Sequence, residues 1–183
     1  MELLSGKFCY LTTFEQSHLI DPAYIQWVRD YDVVKTLNKI DYLRPVSVEE
    51  LTRYCNKLMQ STEDMFFALY ENKHRNFIGT LRVSKINWHS RVADLGIMIG
   101  DKKYWGKGIA TDALQTISTH LFNKCGLRKL TAGFMATNPA MGKAFSKVGF
   151  KPEGILREQD YFEGKYVDHI YMGCFSTELH PQT

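Results

Sequence analysis

Three consecutive strand-like segments are followed in this sequence by two amphipathic helices with a strand between them, and this order restricts the fold more than any other feature. The three segments are residues 66–70, 77–88 and 91–99, and the short turns between them predict an antiparallel meander. The next strand, at 127–135, lies between the two helices. Because a strand–helix–strand unit needs a crossover connection, the sheet cannot be entirely antiparallel.

Apolar spacing and glycine stops mark the two helices on either side of that strand. The first helix places apolar residues on one face at spacings of four, three, four and four: Ala110, Leu114, Ile117, Leu121 and Cys125. Gly126 follows its end, as is typical of a helix stop. The second helix begins at the Asn138-Pro139 cap and ends at Gly149.

Further elements extend the fold toward both ends of the chain. Residues 7–13, 150–158 and 165–175 predict three more strands. Two helices are predicted early in the chain, one over 22–30 after an Asp21 cap and one after the Ser47-Val-Glu-Glu capping box. The predicted order is β-α-α-β-β-β-α-β-α-β-β, an α/β (α+β) fold with a mixed sheet of about seven strands and helices on both faces. No linker or repeat interrupts it, and we expect one domain over residues 1–183.

Composition and charge exclude several classes of protein. Apolar residues make up 44% and charged residues 23% of the chain, with no apolar run long enough to span a bilayer and no signal pattern. We therefore expect a cytoplasmic protein with no membrane role. The basic residues are dispersed and the net charge is +3, which disfavours nucleic acid and favours a small anionic ligand. Four scattered cysteines and six histidines show no metal-ligand spacing, so no metal site is predicted.

The chemically informative segment is residues 103–111, Lys-Tyr-Trp-Gly-Lys-Gly-Ile-Ala-Thr, which follows a strand and enters a helix. Gly106 and Gly108 allow the backbone to approach a ligand closely, and the N–H groups at a helix start bind phosphate. A P-loop is excluded because five residues separate Gly100 from Gly106 and no hydroxyl follows the lysine. A dinucleotide fingerprint is excluded because Thr111 stands in the place of its third glycine.

This loop resembles the Gln/Arg-x-x-Gly-x-Gly/Ala diphosphate loop of GNAT acetyltransferases, with Lys103 in the first position. The resemblance covers nearly the whole chain, through the Asn138 helix and its Lys-Val-Gly-Phe ending, and is strongest to the RimJ/RimL-like branch, which acetylates protein N-terminal amines. It implies a mostly antiparallel mixed sheet that is splayed at the cofactor site, and acetyl-CoA as the acetyl donor. The residues that it assigns to the donor are Ile97, Met98, Ile99, Lys103, Trp105, Gly106, Lys107, Gly108, Ile109, Ala110, Thr111, Asn138 and Lys143.

The resemblance also suggests which groups carry the chemistry. Asp94 stands where many relatives have a glutamate that deprotonates the amine, and it shares a strand face with Gly96. Asp168, in the last strand, matches an acidic position that is common in this branch, and it is expected either to face the acceptor or to form a structural salt bridge. Relatives also supply a tyrosine or serine that protonates the departing thiolate, but the matching positions here hold Met141 and Phe145, which cannot donate a proton.

The acceptor is the least constrained partner. A single short carboxylate favours amines that lose their proton easily, so the expected acceptor is a protein N-terminal α-amine, with an amino sugar or another small amine as the alternative. The missing acid also leaves open a module that senses acetyl-CoA without catalysis. Either a monomer or a homodimer fits the sequence. Four aromatic residues are candidates for the wall of the acceptor cleft: Tyr24, Trp27, Tyr31 and Tyr42.

Overall fold

The protein is described by a computed structural model, which covers residues 3–37 and 46–181. The strands are β1 (Leu3–Ser5), β2 (Cys9–Thr13), β3 (Met65–Glu71), β4 (Phe77–Asn87), β5 (Val92–Ile99), β6 (Lys129–Met135), β7 (Lys151–Phe162) and β8 (Lys165–Phe175). The helices are α1 (Gln16–Leu19), α2 (Pro22–Arg29), α3 (Tyr31–Val34), α4 (Val48–Met59), α5 (Ile109–Asn123) and α6 (Pro139–Val148). Within these residues no helix is both long and apolar enough to cross a membrane.

The described strands form one sheet in the order β1-β2-β3-β4-β5-β6-β8-β7, in which only the β5–β6 pair is parallel. This confirms the predicted mixed, mostly antiparallel sheet. The sheet has one strand more than predicted because β1 is too short to show a period. The predicted strand at 150–158 extends to Phe162, since pairing resumes after a bulge at which Glu158 has φ of +52°.

Helices cover both faces of the sheet, and alternation along the strands divides the buried side chains between them. In β3, Phe67 and Leu69 join the cluster that contains α5 and α6, whereas Phe66 and Ala68 join the cluster with α1 to α4. This alternation is the period-two pattern of a strand that is buried on both faces.

The predicted caps define the helix ends. The Asp21 carboxylate accepts the Ala23 N–H at 2.8 Å at the start of α2. At α4, Ser47 Oγ accepts the Glu50 N–H and the Glu50 carboxylate accepts the Ser47 N–H, both at 3.1 Å. Gly149 takes a left-handed conformation at the end of α6, with φ of +119°. Local chemistry therefore sets these boundaries before tertiary packing contributes.

A buried carboxylate joins the β1–β2 turn to the first turn of α5. Asp112 accepts the backbone N–H groups of Lys7, Phe8 and Cys9 at 2.8–3.0 Å, and the Cys9 thiol lies 3.2 Å from it. Burial raises the pKa of the Cys9 thiol, and the Asp112 charge raises it further. The predicted strand at 7–13 begins at Cys9 because the preceding N–H groups bond to Asp112 and not to a neighbouring strand.

Replacing Asp112 should destabilise the protein. Asp112→Ala would leave three N–H donors without their carboxylate, of which that of Cys9 is buried and those of Lys7 and Phe8 are partly exposed. A buried unsatisfied donor costs about 1–3 kcal/mol, so the free energy of unfolding should fall by about 2 kcal/mol. Asp112→Asn keeps one acceptor oxygen and should lose less. Urea denaturation measures both variants, and an Asp112→Ala protein as stable as the wild type would contradict this account.

Candidate active site

The parallel ladder between β5 and β6 covers only three residue pairs, and the site begins where it stops. Val92, Ala93 and Asp94 pair with Lys129, Leu130 and Thr131. Beyond Asp94, β5 remains paired with β4, whereas β6 remains paired with β8. The two strands therefore part, as predicted, and the backbone of β5 up to Ile99 faces a gap in the sheet.

A cavity of about 450 Å³ adjoins this free edge of β5 and extends over the starts of α5 and α6. Its volume is within the range of small-molecule sites. It brings together all of the residues predicted to contact the donor except Lys103 and Lys107, which are exposed on the loop before α5. Lys143 and Lys147 from α6 add positive charge to the wall.

The loop before α5 has the geometry of an anion site. Gly106 and Gly108 have φ of +71° and +80°, which side-chain-bearing residues adopt only with strain. Gly108 is the N-cap and offers no side chain, and the first intrahelical bond runs from the Asp112 N–H to the Gly108 carbonyl. The N–H groups of residues 109–111 therefore lack intrahelical partners. The same three residues line the cavity. This cradle fits a diphosphate.

Asn138 caps α6, and its side chain also bonds to the segment after α3, which lines the same cavity. Its Oδ1 accepts the Met141 N–H at 3.3 Å, and its Nδ2 donates to Thr36 Oγ1, after α3, at 3.2 Å. Of the two positions where relatives carry a proton donor, Met141 lines the cavity and Phe145 is buried in the core. Ser146 is exposed and does not line the cavity.

A second cavity, of about 360 Å³, lies on the α1–α4 side of the sheet and shares Leu37, Ile97 and Met98 with the first. Asp94 and Gly96 line it, as their shared strand face predicted. Asp94 Oδ1 accepts a hydrogen bond from Thr131 Oγ1 at 2.9 Å. The two cavities therefore meet at the free edge of β5, and the second one is lined by the Asp94 carboxylate.

The electrostatics of the second cavity are mixed. Burial raises the pKa of Asp94, against the opposing effects of the Thr131 hydrogen bond and the nearby charges of Lys85, His169 and Arg82. Arg82 is paired with Asp64, with Nη2 and Oδ1 2.6 Å apart. Lys85 has φ of +53° at a bulge in β4, next to the Ser84–Asp94 pair, and lines the cavity.

The structure does not bring Asp168 to this cavity. Its Oδ1 accepts the Glu158 N–H at 2.9 Å at the bulge of β7, and it lines a separate surface depression. Its neighbour His169 lines the second cavity instead, with Nδ1 2.6 Å from Asp160 Oδ2. Sequence reasoning missed His169 because it searched the histidines for metal spacing. Strand alternation could have indicated it, because it places His169 and Tyr171 on the face of β8 that is turned away from the core residues of that strand.

The predicted aromatic wall is realised only in part. Tyr24 lines the second cavity. Trp27 packs in the α1–α4 core, where its indole occupies the space beside Gly100. Tyr31 is exposed, and Tyr42 lies outside the described residues. In the described part of the chain, no group of three or more His, Cys, Asp or Glu residues could hold a metal ion.

This architecture is shared with solved acetyltransferases. The spermidine N-acetyltransferase from Vibrio cholerae, solved with CoA and spermine, superposes with a TM-score of 0.82 at 22% identity, over 93% of this chain and 96% of that one. At the level of sequence, the family described as Acetyltransferase (GNAT) domain matches residues 10–151.

Two curated relatives support the same assignment. The probable N-acetyltransferase YjcK of Bacillus subtilis is 29% identical over 180 residues, covering 96% of this chain and 98% of its own. The [ribosomal protein uS5]-alanine N-acetyltransferase of Escherichia coli is 24% identical over 129 residues, covering 69% and 65%. The chain belongs to the GNAT acetyltransferase family and is an acetyl-CoA-dependent N-acetyltransferase.

The ionised carboxylate of Asp94 should lower the free energy of unfolding at neutral pH. Its raised native pKa means that the native carboxyl holds a proton more tightly than the unfolded one, so stability falls as pH rises from the unfolded-state value through the native value. Asp94→Asn, which cannot ionise, should melt at a higher temperature than the wild type at pH 7, and the difference should shrink in acid.

Asp64 is the matched control for this experiment. Burial raises its pKa, but hydrogen bonds from Ser61 and Arg82 lower it more, so that the net shift is downward. Asp64→Asn should therefore melt below the wild type at pH 7, with the gap closing in acid. Melting curves across pH that move both variants in the same direction would refute the assignment of opposite shifts.

Proposed function

We propose that this enzyme acetylates the α-amine of a protein N-terminus, by direct attack of the amine on the thioester of acetyl-CoA. The observation that carries the proposal is the junction of two cavities at Met98, one with an anion cradle and one with a carboxylate. Donor and acceptor enter from the two sides and meet at the free edge of β5. The similarity to the Escherichia coli ribosomal-protein enzyme supports this acceptor class.

The donor is proposed to lie along the first cavity. The N–H groups around Gly106 and Gly108 bind its diphosphate, and Lys143 supplies a countercharge. The arm then follows residues 97–99, whose backbone groups are free of β6, and a backbone N–H there can polarise the thioester carbonyl. Asn138 lies on the opposite wall within reach of the arm. Lys103 and Lys107 flank the cradle from solvent.

Asp94 is proposed to attract the acceptor ammonium and to take part in removing its proton. Its hydrogen bond with Thr131 holds one carboxylate oxygen, which leaves the second oxygen for the acceptor. A thiol has a reference pKa of about 8.5. The thiolate of CoA can therefore leave without a residue that protonates it. The absence of a hydroxyl at Met141 is therefore compatible with turnover.

The charge in the acceptor cavity favours a single amine over a polyamine. Asp94 is its only carboxylate among the described lining residues, whereas the cations Arg82 and Lys85 also line it. A polycation would place its second and third charges against like charges, which is destabilising. Although spermine accompanies the Vibrio cholerae enzyme in its structure, we therefore infer that the acceptor here carries one amine to be acetylated.

The proton affinity of the acceptor also separates the candidates. At pH 7 an α-amine with pKa about 8 is neutral in about 1 in 10 molecules, whereas a lysine side chain with pKa about 10.4 is neutral in roughly 1 in 2500. That difference corresponds to about 3 kcal/mol of available nucleophile. A site with one short carboxylate at the amine should react much faster with the α-amine.

Substitution of Gly106 should weaken acetyl-CoA binding selectively. Gly106→Val places a branched side chain in the proposed cradle, and affinity should fall at least tenfold by calorimetry. Gly126→Val is a matched control, because Gly126 has φ of +67° and, like Gly106, nothing within 4 Å of an added Cβ. Both variants should lose about 1–2 kcal/mol of stability from backbone strain. Wild-type affinity in Gly106→Val would place the diphosphate elsewhere.

The acceptor is tested by thiol release with four amines at equal concentration. An unblocked lysine-free peptide should react at least tenfold faster than spermidine or an N-terminally blocked lysine peptide, and faster than glucosamine. Lys85→Glu should narrow the gap between the peptide and spermidine, whereas Lys73→Glu, on the β3–β4 turn, should leave it unchanged. Faster reaction with glucosamine would favour the amino-sugar alternative, and no reaction with any amine would refute the proposal.

A further inference from the structure

His169 and Asp160 form a buried pair that the N-acetyltransfer described so far does not use. The exposed fractions of the two residues are only 9% and 3%, and His169 Nδ1 lies 2.6 Å from Asp160 Oδ2. A buried His–Asp pair is often only structural. Here, however, the imidazole lines the acceptor cavity together with Asp94 and does not lie in the apolar core.

Two features of the sheet bring the imidazole to this place. Alternation along β8 directs Ile170 and Met172 to the α5–α6 side and His169 to the cavity side. The imidazole passes over Gly133 of β6, where a Cβ would collide with Nε2. No side chain of β6 therefore stands between Nε2 and the acceptor cavity at this position.

The bulge in β7 provides the partner. Pairing between β7 and β8 shifts register between Leu156 and Asp160, and Asp168 holds this bulge by accepting the Glu158 N–H at 2.9 Å. The shift allows Asp160 to reach His169, although Asp160 pairs with Val167 in the ladder. The acidic residue predicted from sequence to face the acceptor thus acts on the shape of the strand that carries Asp160.

We propose that His169 is a catalytic base for the acceptor amine, with Asp160 as the positioning residue that fixes its tautomer and orientation. The inference rests on the proposed N-acetyltransferase function and extends it. An Nδ1–H donated to the Asp160 carboxylate leaves Nε2 as an acceptor. An imidazole is a stronger base than an ordinary carboxylate and is better matched to an ammonium of pKa about 8.

The proton balance of the reaction gives His169 a defined step. The bound ammonium, attracted by Asp94, gives one proton to Nε2, and the imidazolium passes it to solvent. The neutral amine attacks the thioester carbonyl carbon. As the C–N bond forms and the C–S bond breaks, the second proton of the nitrogen goes to the thiolate. The products are the amide, the free thiol of CoA and one proton in solvent.

Other groups around the imidazole influence its charge. Two carboxylates face it, Asp160 on β7 and Asp94 on β5. Two cations on β4 and three phenols also line the cavity: Arg82 and Lys85, and Tyr24, Tyr54 and Tyr171. Of these groups, Asp160 is the one bonded to the ring, so Asp160→Asn removes the charge that holds the imidazole in place.

The test measures kcat/KM for an α-amine peptide between pH 6 and 9. His169→Gln should lower it about 100-fold at pH 7, the scale of a lost general base, and much less at pH 9, where the amine is already neutral. Acetyl-CoA affinity should stay within twofold. Asp160→Asn should lower kcat/KM at pH 7 by a smaller factor than His169→Gln, and this loss should also shrink at pH 9. His89→Gln, exposed in the β4–β5 turn, is the control and should behave as the wild type.

The possible results separate the two proposals. If the wild type acetylates no amine, the proposed function fails. If the wild type is active and His169→Gln keeps its rate within threefold at pH 7, or loses the same factor at pH 7 and pH 9, the role of His169 is refuted. Should His169→Gln fail to fold, Asp160→Asn decides, and an unchanged kcat/KM at pH 7 or an equal loss at pH 7 and pH 9 overturns the inference.

Discussion

The site depends on a parallel ladder that ends after three residue pairs. The Asp94–Thr131 pair is the last one, and the Thr131 hydroxyl also bonds the Asp94 carboxylate. Further pairs would bring β6 against residues 95–99 and close the gap that the donor needs. The diverging partners, β4 for β5 and β8 for β6, hold the strands apart on both sides. The sheet therefore forgoes hydrogen bonds in order to leave main-chain groups available for a ligand.

The two faces of the sheet divide stability from chemistry. The α5–α6 face is packed with apolar side chains from most strands and both helices. The opposite face carries a smaller apolar cluster and, next to it, the polar groups that line the acceptor cavity, including Asp94, Arg82 and His169. A well-packed face can offset the desolvation of a carboxylate on the other. Groups that reduce the stability of the fold are expected at the site where a protein acts on its substrate.

The sequence was sufficient for the features that short-range chemistry determines. The capping box at Ser47 and the glycines at 106 and 108 act within a few residues, and the crossovers on either side of β6 follow from the order of neighbouring elements, so each was predicted. Asp160 and His169 meet only through a register shift in β7, which no local signal reveals. Asp168 was assigned to the acceptor because it matches an acidic position of the RimJ/RimL-like branch; its carboxylate accepts the Glu158 N–H at the bulge and lines a separate surface depression.

The meeting of the two cavities at Met98 also bears on whether the acetyl group passes through the protein. With the donor in one cavity and the acceptor in the other, as proposed, both substrates are held at once, so the acetyl group has no need to rest on the protein between them. The cysteines agree with this view, since Cys9, Cys55 and Cys174 are buried and neither cavity is lined by a cysteine among the described residues. Initial velocities should therefore give intersecting double-reciprocal lines, the mark of a ternary complex, and not the parallel lines of a ping-pong reaction.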